Sequence, residues 1–190
     1  MDPIAEFQSL FAQARVSEAG DASACALATA ALEGAPSVRI VLLKDVDGRG
    51  FTFFTNYTSR KASELEANPR AALCFYWPSL TAQVRVEGDT SRVTRDESKA
   101  YFATRPRESQ IGAWASSQSA TMASRDELLA RFRESEARFA EGDVPCPEHW
   151  GGYRLAPQKI EFWRGREFRL HERVVYTRSA SGWTVATLYP

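Results

Sequence analysis

The stretch Tyr101 to Ser119, YFATRPRESQIGAWASSQS, concentrates Arg105, Arg107, Ser109, Gln110, Gln118 and Ser119 in a short length of chain. Guanidinium forks, hydroxyls and amides together are the groups that hold a phosphate and the polar edges of a heterocycle. Pro106 lacks an N–H and restrains Arg105 before it, so the preceding helix is expected to stop there. The groups beyond it are expected on irregular backbone, with a tight link at Gly112. A solvated loop could carry the same polar residues. Ile111 and Trp114 argue against that, because large apolar side chains pack down onto protein.

Further cationic groups recur in small clusters. Arg60 and Lys61 fall in the first turn of a helix expected to open at Ser59. Cations there oppose the helix dipole unless an anion sits against the exposed N–H groups; plain surface cations are the other reading. Arg39 and Lys44 lie an odd number of positions apart, so a regular strand would put them on opposite faces. Arg169, His171 and Arg173 alternate with Leu170 and Glu172, and a strand would put all three on one face. There they would repel one another unless an anion or a π-system lay over them, although a solvated face fits too. An imidazole in that place could exchange a proton near neutral pH. Tyr101 and Arg105 are one helical turn apart and share a side. Gln83 falls on the polar face of its strand, and His149, beside Trp150-Gly151-Gly152, reads as packing.

These groups need elements to position them. Phe7, Leu10, Phe11 and Ala14 recur at helical spacing within Pro3 to Arg15. Ala24 to Leu32 and Ser37 to Val46 read as a hairpin, and Phe51 to Asn56 as a third strand. Asn68-Pro69 ends the helix that opens at Ser59. Ala71 to Trp77 and Thr81 to Val93 continue the sheet; in the latter Ala82, Val84 and Val86 alternate with Gln83, Arg85 and Glu87. Asp96 to Thr104 reads as helix, and Ser124 with Glu127 as a capping box opening a helix to about Ala140, with Leu128, Phe132 and Phe139 on one side. Lys159 to Trp163, Phe168 to Thr177 and Trp183 to Tyr189 read as the last strands. Sequence-adjacent strands with short turns and few helices indicate an antiparallel barrel flanked by helices, in one domain over residues 1–190.

Composition narrows the partners. Lys+Arg and Asp+Glu both number 24 in 190 residues, so no overall field recruits nucleic acid or an anionic membrane. A neutral chain with local basic clusters points to small anionic ligands. Cys25, Cys74 and Cys146 form no C-x-x-C, which fits a reducing compartment, and His149 and His171 have no zinc-type spacing. No apolar run approaches the ~20 residues that span a bilayer. MDPIAEF lacks a signal-peptide pattern. The expectation is a soluble, cytoplasmic protein.

RPRESQIGAWASSQS resembles the signature region of the pyridoxine/pyridoxamine 5'-phosphate oxidases, FMN enzymes that make pyridoxal 5'-phosphate. RIVLLK (Arg39 to Lys44), FFTNYTSRKASELEANP (Phe53 to Pro69), QVRVEG (Gln83 to Gly88), WGGYRL (Trp150 to Leu155) and EFWRGREFRLHER (Glu161 to Arg173) are similar to the family's other motifs. They stand in family order and cover nearly the whole chain. The resemblance implies an FMN-binding split β-barrel, mainly β with flanking helices. It implies that Arg39, Arg60 and Lys61 hold the FMN phosphate and that Arg39, Ile40, Val41, Leu42, Leu43 and Lys44 lie along the flavin. Phe54, Thr55, Gln83, Gln118, Ser119, Trp163 and Arg173 are implied as further FMN contacts; an amide suits the flavin's pyrimidine edge, which both donates and accepts. Lys44, Tyr101, Arg105 and Ser109 are implied to bind the substrate phosphate, with Arg169 and His171 at the substrate ring as the catalytic pair. The implied reaction takes a hydride from the C4' carbon of pyridoxamine or pyridoxine 5'-phosphate, with oxygen reduced to hydrogen peroxide. The hard chemistry belongs to the cofactor. The implied assembly is a homodimer with FMN at the interface, each site drawing on both chains.

Two departures bear on substrate preference. Many members carry a basic and aromatic segment before the first helix, and the expectation here is a shortened or absent lid. The usual Arg-Leu-Ala-Pro ending is replaced by Thr187-Leu188-Tyr189-Pro190. The competing readings are a split-barrel flavoprotein acting on another small heterocycle, as in phenazine-pathway relatives, and a non-catalytic binder of FMN or pyridoxal phosphate. Arg105, Ser109, Arg169 and His171 disfavour the former. A nucleic-acid-binding barrel would need a basic face that the net charge does not favour.

Overall fold

The structure, a computed structural model, describes residues 2–190. Helix α1 (Pro3–Ser17) opens with the Asp2 carboxylate accepting from the Ile4 N–H at 3.0 Å, and Pro3 occupies a first-turn position where its missing N–H costs nothing. Its helical period buries Phe7, Leu10 and Ala14 as expected. Phe7 meets Phe51 and Phe75 edge-on, at 4.8 and 5.0 Å between ring centroids. Trp77 closes that aromatic core, its indole N–H donating to the Ala22 carbonyl at 2.9 Å.

The strands are β1 (Ala24–Ala30), β2 (Pro36–Leu42), β3 (Asp45–Asp47), β4 (Gly50–Asn56), β5 (Arg70–Trp77), β6 (Ala82–Arg92), β7 (Trp150–Arg164), β8 (Glu172–Ser179) and β9 (Gly182–Leu188). Every pairing is antiparallel, in the order β2-β1-β5-β6-β7-β4-β3, with β8 on β7 and β9 on β8. Strand β7 is the hub. One edge pairs with β6; the other is shared, Trp150–Leu155 with β4 and Lys159–Arg164 with β8. The sheet therefore divides along β7. A bulge at Glu87/Gly88 marks the division, opposite Pro157. A Cβ at Gly88 would lie 2.0 Å from the Ala156 carbonyl oxygen, so only glycine fits.

Helices α2 (Arg60–Ala67), α3 (Arg95–Ala103), α4 (Arg107–Ala115) and α5 (Arg125–Arg138) flank the sheet. Phe102, Ile111, Phe139, Val144 and Trp150 form a second, smaller core beneath the last three. The mainly β class with flanking helices is as expected. No described helix is long and apolar enough to cross a membrane.

Several elements differ from the sequence reading. Residues Arg107–Ala115 are helical, not irregular; Pro106 sits at the N-cap, where a proline starts a helix as readily as it ends one. Gly112 lies inside that helix. The Ser37 to Val46 strand breaks after Leu42, and β7 begins at Trp150 rather than Lys159. Phe168 and Arg169 are not in a strand: both have left-handed backbone, with φ of 55° and 62°, in a short 3₁₀ turn. Arg169, His171 and Arg173 therefore do not share one regular strand face. Ser59 is the N-cap of α2, but its side chain makes no capping bond. At α5 the Ser124 hydroxyl accepts from the Glu127 N–H, while the Glu127 carboxylate reaches Ala123 instead of closing the box on Ser124.

Candidate active site

A cleft of about 1030 Å³ opens between β2, the end of β4, the start of α2, the α3–α4 corner and the loop after α4. Lys61 marks one end. Only 8% exposed, its ammonium reaches Gln118 Oε1 at 2.9 Å, Thr55 Oγ1 at 3.2 Å and Ser59 Oγ at 3.4 Å. All three are neutral oxygens, and no described carboxylate is within ion-pair distance of it. Burial pushes the Lys61 pKa down, Arg39 adds to that, and Glu64 opposes it. Its three donors are taken up by neutral oxygens, so what an incoming anion would meet is a buried charge with no counter-ion beside it. Arg39 and Arg60 flank it, both bonded to the Glu64 carboxylate, at 3.2 and 2.8 Å.

Arg105 marks the other end. Its guanidinium carbon lies 4.7 Å from the centroid of Trp150 and 5.5 Å from that of Phe102. Nη1 is buried and has no hydrogen-bond partner among the described residues. Burial pushes the Arg105 pKa down, while Tyr101 and Cys146 pull it back. Tyr101 stacks on Phe54 at 4.0 Å, and Phe54 on Trp150 at 5.3 Å. Lys44 and Ser109 line the same cleft. Lys44 reaches it because β2 ends at Leu42, which cancels the odd-number separation from Arg39.

The cleft thus gathers Arg39, Ile40, Val41, Leu42, Lys44, Phe54, Thr55, Arg60, Lys61, Tyr101, Arg105, Ser109, Gln118 and Ser119. Leu43 does not face it. That side chain, 4% exposed, belongs to the core. Gln110 and Arg107 also serve structure: Gln110 donates to the Phe102 carbonyl at 2.9 Å, and Arg107 donates to the Gly142 and Phe139 carbonyls after α5. His149 packs, its Nε2 3.1 Å from the Ala113 carbonyl and its ring edge-on to Trp114.

Gln83, Trp163, Arg169, His171 and Arg173 lie outside the cleft. They form a second group around the far end of β7: Gln83 and Arg173 both pair in register with Trp163, whose ring is 4.7 Å from that of His171. The His171 Nδ1 accepts from the Arg166 N–H at 3.1 Å, which leaves Nε2 as the protonated nitrogen of the neutral ring. Arg173 donates to Glu161 at 2.8 Å. Trp150, in the cleft, and Trp163, in this group, are opposite ends of one strand, whose contour is on the order of 40 Å at ~3.3 Å per residue.

Sequence reading gave no role to Trp150 or Glu64. Glu64 follows Arg60 at the i, i+4 spacing of a helical ion pair, which was a usable signal. Trp150 opens the WGGYRL motif, but its contact with Arg105 left no signal, because the two are remote in sequence.

The family model described as pyridoxamine 5'-phosphate oxidase matches residues 12–139, and that of a pyridoxine 5'-phosphate oxidase C-terminal dimerisation region matches residues 150–190. The chain belongs to the pyridoxamine 5'-phosphate oxidase family. A pyridoxine/pyridoxamine 5'-phosphate oxidase of Anaeromyxobacter dehalogenans is 57% identical over all of this chain and 96% of its own length. The Sphingopyxis alaskensis protein of the same name is 54% identical, over all of this chain and 88% of its own. Among solved structures, PhzG from Burkholderia lata 383, in complex with tetrahydrophenazine-1-carboxylic acid, is 32% identical with a TM-score of 0.94, covering all of this chain and 93% of its own. A pyridoxamine 5'-phosphate oxidase-related, FMN-binding protein of Nostoc punctiforme, 17% identical with a TM-score of 0.79 over all of this chain and 99% of its own, shares the fold. The split barrel is that of the family, and the chain carries the family's C-terminal dimerisation region, which supports a homodimer.

Proposed function

We propose that this chain is an FMN-dependent oxidase that converts pyridoxamine 5'-phosphate, pyridoxine 5'-phosphate or both to pyridoxal 5'-phosphate. The observation that carries the reading is a cleft with a cation at each end that pairs with no described carboxylate, Lys61 among neutral oxygens and Arg105 with a buried Nη1 that has no partner among the described residues. Two phosphate-bearing molecules, a cofactor and a substrate, use both. Arg39, Arg60 and Lys61 would hold the FMN phosphate, and Ile40 to Leu42, Phe54, Thr55, Gln118 and Ser119 would bound the rest of it. Lys44, Tyr101, Arg105 and Ser109 would take the substrate phosphate. Bound FMN supplies hydride acceptance from the substrate's C4' carbon, with oxygen as final acceptor and hydrogen peroxide as product.

Within one chain the residues at the far end of β7 lie outside the cleft. We assign Gln83, Trp163, Arg169, His171 and Arg173 to the cleft of the partner subunit in a homodimer, with FMN at the interface. There Arg169 and His171 would orient the substrate ring, His171 presenting its Nε2–H. Lys44, Tyr101 and Ser109 beside Arg105 give a phosphate dianion two cations and two hydroxyls, more than the single carboxylate of the ligand carried by PhzG needs. The chain would act as one unit over residues 1–190, in the cytoplasm. The direct test is oxygen consumption by the purified yellow protein with pyridoxamine 5'-phosphate, pyridoxine 5'-phosphate and a reduced phenazine acid. Turnover of the first two supports the reading; turnover of the phenazine alone, or of none, overturns it.

A further inference from the structure

Glu64 sits inside α2, only 7% exposed, and carries four hydrogen bonds. One carboxylate oxygen accepts from the hydroxyls of Thr29 and Ser37, each at 2.5 Å, and from Arg39 at 3.2 Å. The other accepts from Arg60 Nε at 2.8 Å. These donors hold its pKa down, at about 2, against the cost of burial. An isolated buried carboxylate would be strongly unfavourable; here it is fully bonded.

The placement has two consequences at the Lys61 end of the cleft. Arg60 is bonded to Glu64 through Nε, so the guanidinium is anchored by its inner nitrogen while its terminal nitrogens stay available. Arg39 is held on two sides, by Thr29 and the Leu27 carbonyl through Nη1 and by Ser37 and Glu64 through Nη2. Charge is adjusted as well. Arg39, Arg60 and Lys61 would repel one another if left alone, and one carboxylate among them leaves two net positive charges. A phosphate monoester carries about −1.5 to −2 at neutral pH.

We propose that Glu64 is a positioning residue for the cofactor phosphate: it aims Arg39 and Arg60 and matches the charge of the cleft end to a phosphate monoester dianion. This rests on the reading of that end as the FMN phosphate site. Glu64 itself does not line the cleft. Its removal frees Arg60, whose side chain is 64% exposed, to swing into solvent, and leaves Arg39 with hydroxyls and a carbonyl only.

The test is flavin-fluorescence titration of the full chain, stripped of flavin, with FMN and with riboflavin. The ratio of the two affinities isolates the phosphate. Glu64→Ala and the volume-conserving Glu64→Gln are expected to lower FMN affinity at least tenfold and to change riboflavin affinity less than twofold. A loss of both flavins by the same factor, or failure of both variants to fold, makes Glu64 a structural residue and overturns the proposal. FMN affinity that is unchanged or raised overturns it too, because the carboxylate would then only oppose the anion. Wild-type protein that binds FMN no better than riboflavin sinks the phosphate site itself, whatever the variants do.

Discussion

Arg105 is held in the cleft by an aromatic face rather than by a carboxylate, and the difference matters for binding. A carboxylate would occupy its donors and cancel its charge; the ring of Trp150 does neither. Charge-assisted bonds contribute about 1.5–3 kcal/mol each, so Arg105→Ala should lower kcat/KM for pyridoxamine 5'-phosphate by roughly ten- to a hundredfold per bond lost. Unphosphorylated pyridoxamine gives the residue nothing to hold, and its slow turnover should barely change. Steady-state kinetics with both substrates isolates the coupling between residue and phosphate. Trp150→Leu is expected to reproduce most of the loss on the phosphorylated substrate although Arg105 is still present. An equal fall on both substrates, in either variant, would make that residue structural. Residue types alone pointed to Arg105, Lys61 and Tyr101 as anion or packing groups; they did not point to Trp150, whose role exists only once two distant segments meet.

Elements with a clear period were legible. Helix α1 and strand β6 follow the burial alternation that their sequences set out, since each has one face on the core. The misreadings came from residues that break structure in one place and begin it in another. Pro106 ends α3 and also opens α4; Gly151, Gly152 and Pro157 interrupt a strand pattern, yet β7 runs through them because the bulge at Gly88 accommodates the proline. The alternation at 169–173 imitated a strand over too few residues to exclude a turn. Arg107, singled out with the phosphate-holding groups, instead ties the N-terminus of α4 to the carbonyls that follow α5. Arg107→Ala should therefore lower the melting temperature by several degrees, as loss of a bond worth ~1–2 kcal/mol does, while KM stays within twofold.

Acid sensitivity belongs at the same scale. Glu97 closes the α3 capping box on Thr94 and pairs with Arg154 of β7 at 2.9 Å; these bonds hold its pKa at about 2, against an ordinary 4.5. A folded pKa below the unfolded one gives stability that is complete above pH 4.5 and is lost as pH falls towards 2. Melting temperature should drop over that window, and Glu97→Gln should flatten the drop while lowering the plateau. A variant whose acid profile parallels the wild type would remove Glu97 from the cause.

At the scale of the whole molecule, a chain of zero net charge divides the cations singled out for ligand binding between two separate places, the cleft and the far end of β7. Spacing in a sequence carries no record of which end of a long strand a motif will occupy, so the residues alone could not divide the site. The resemblance implied two chains; the position of the second group, outside the cleft of its own chain, supplies a physical reason. The central claim is that each active site combines the cleft of one subunit with the β7–β8 group of its partner. It is tested most directly by a mixed dimer. Arg105→Ala disables the cleft and Arg169→Ala disables the distal group, and chains carrying one change each can be co-expressed with different tags and isolated as the heterodimer. If sites are shared, one site carries both defects and the other none, so the mixed dimer should recover about half the wild-type kcat although each variant homodimer is impaired at both sites. Activity no higher than the mean of the two variant homodimers would place each site within a single chain and contradict the account.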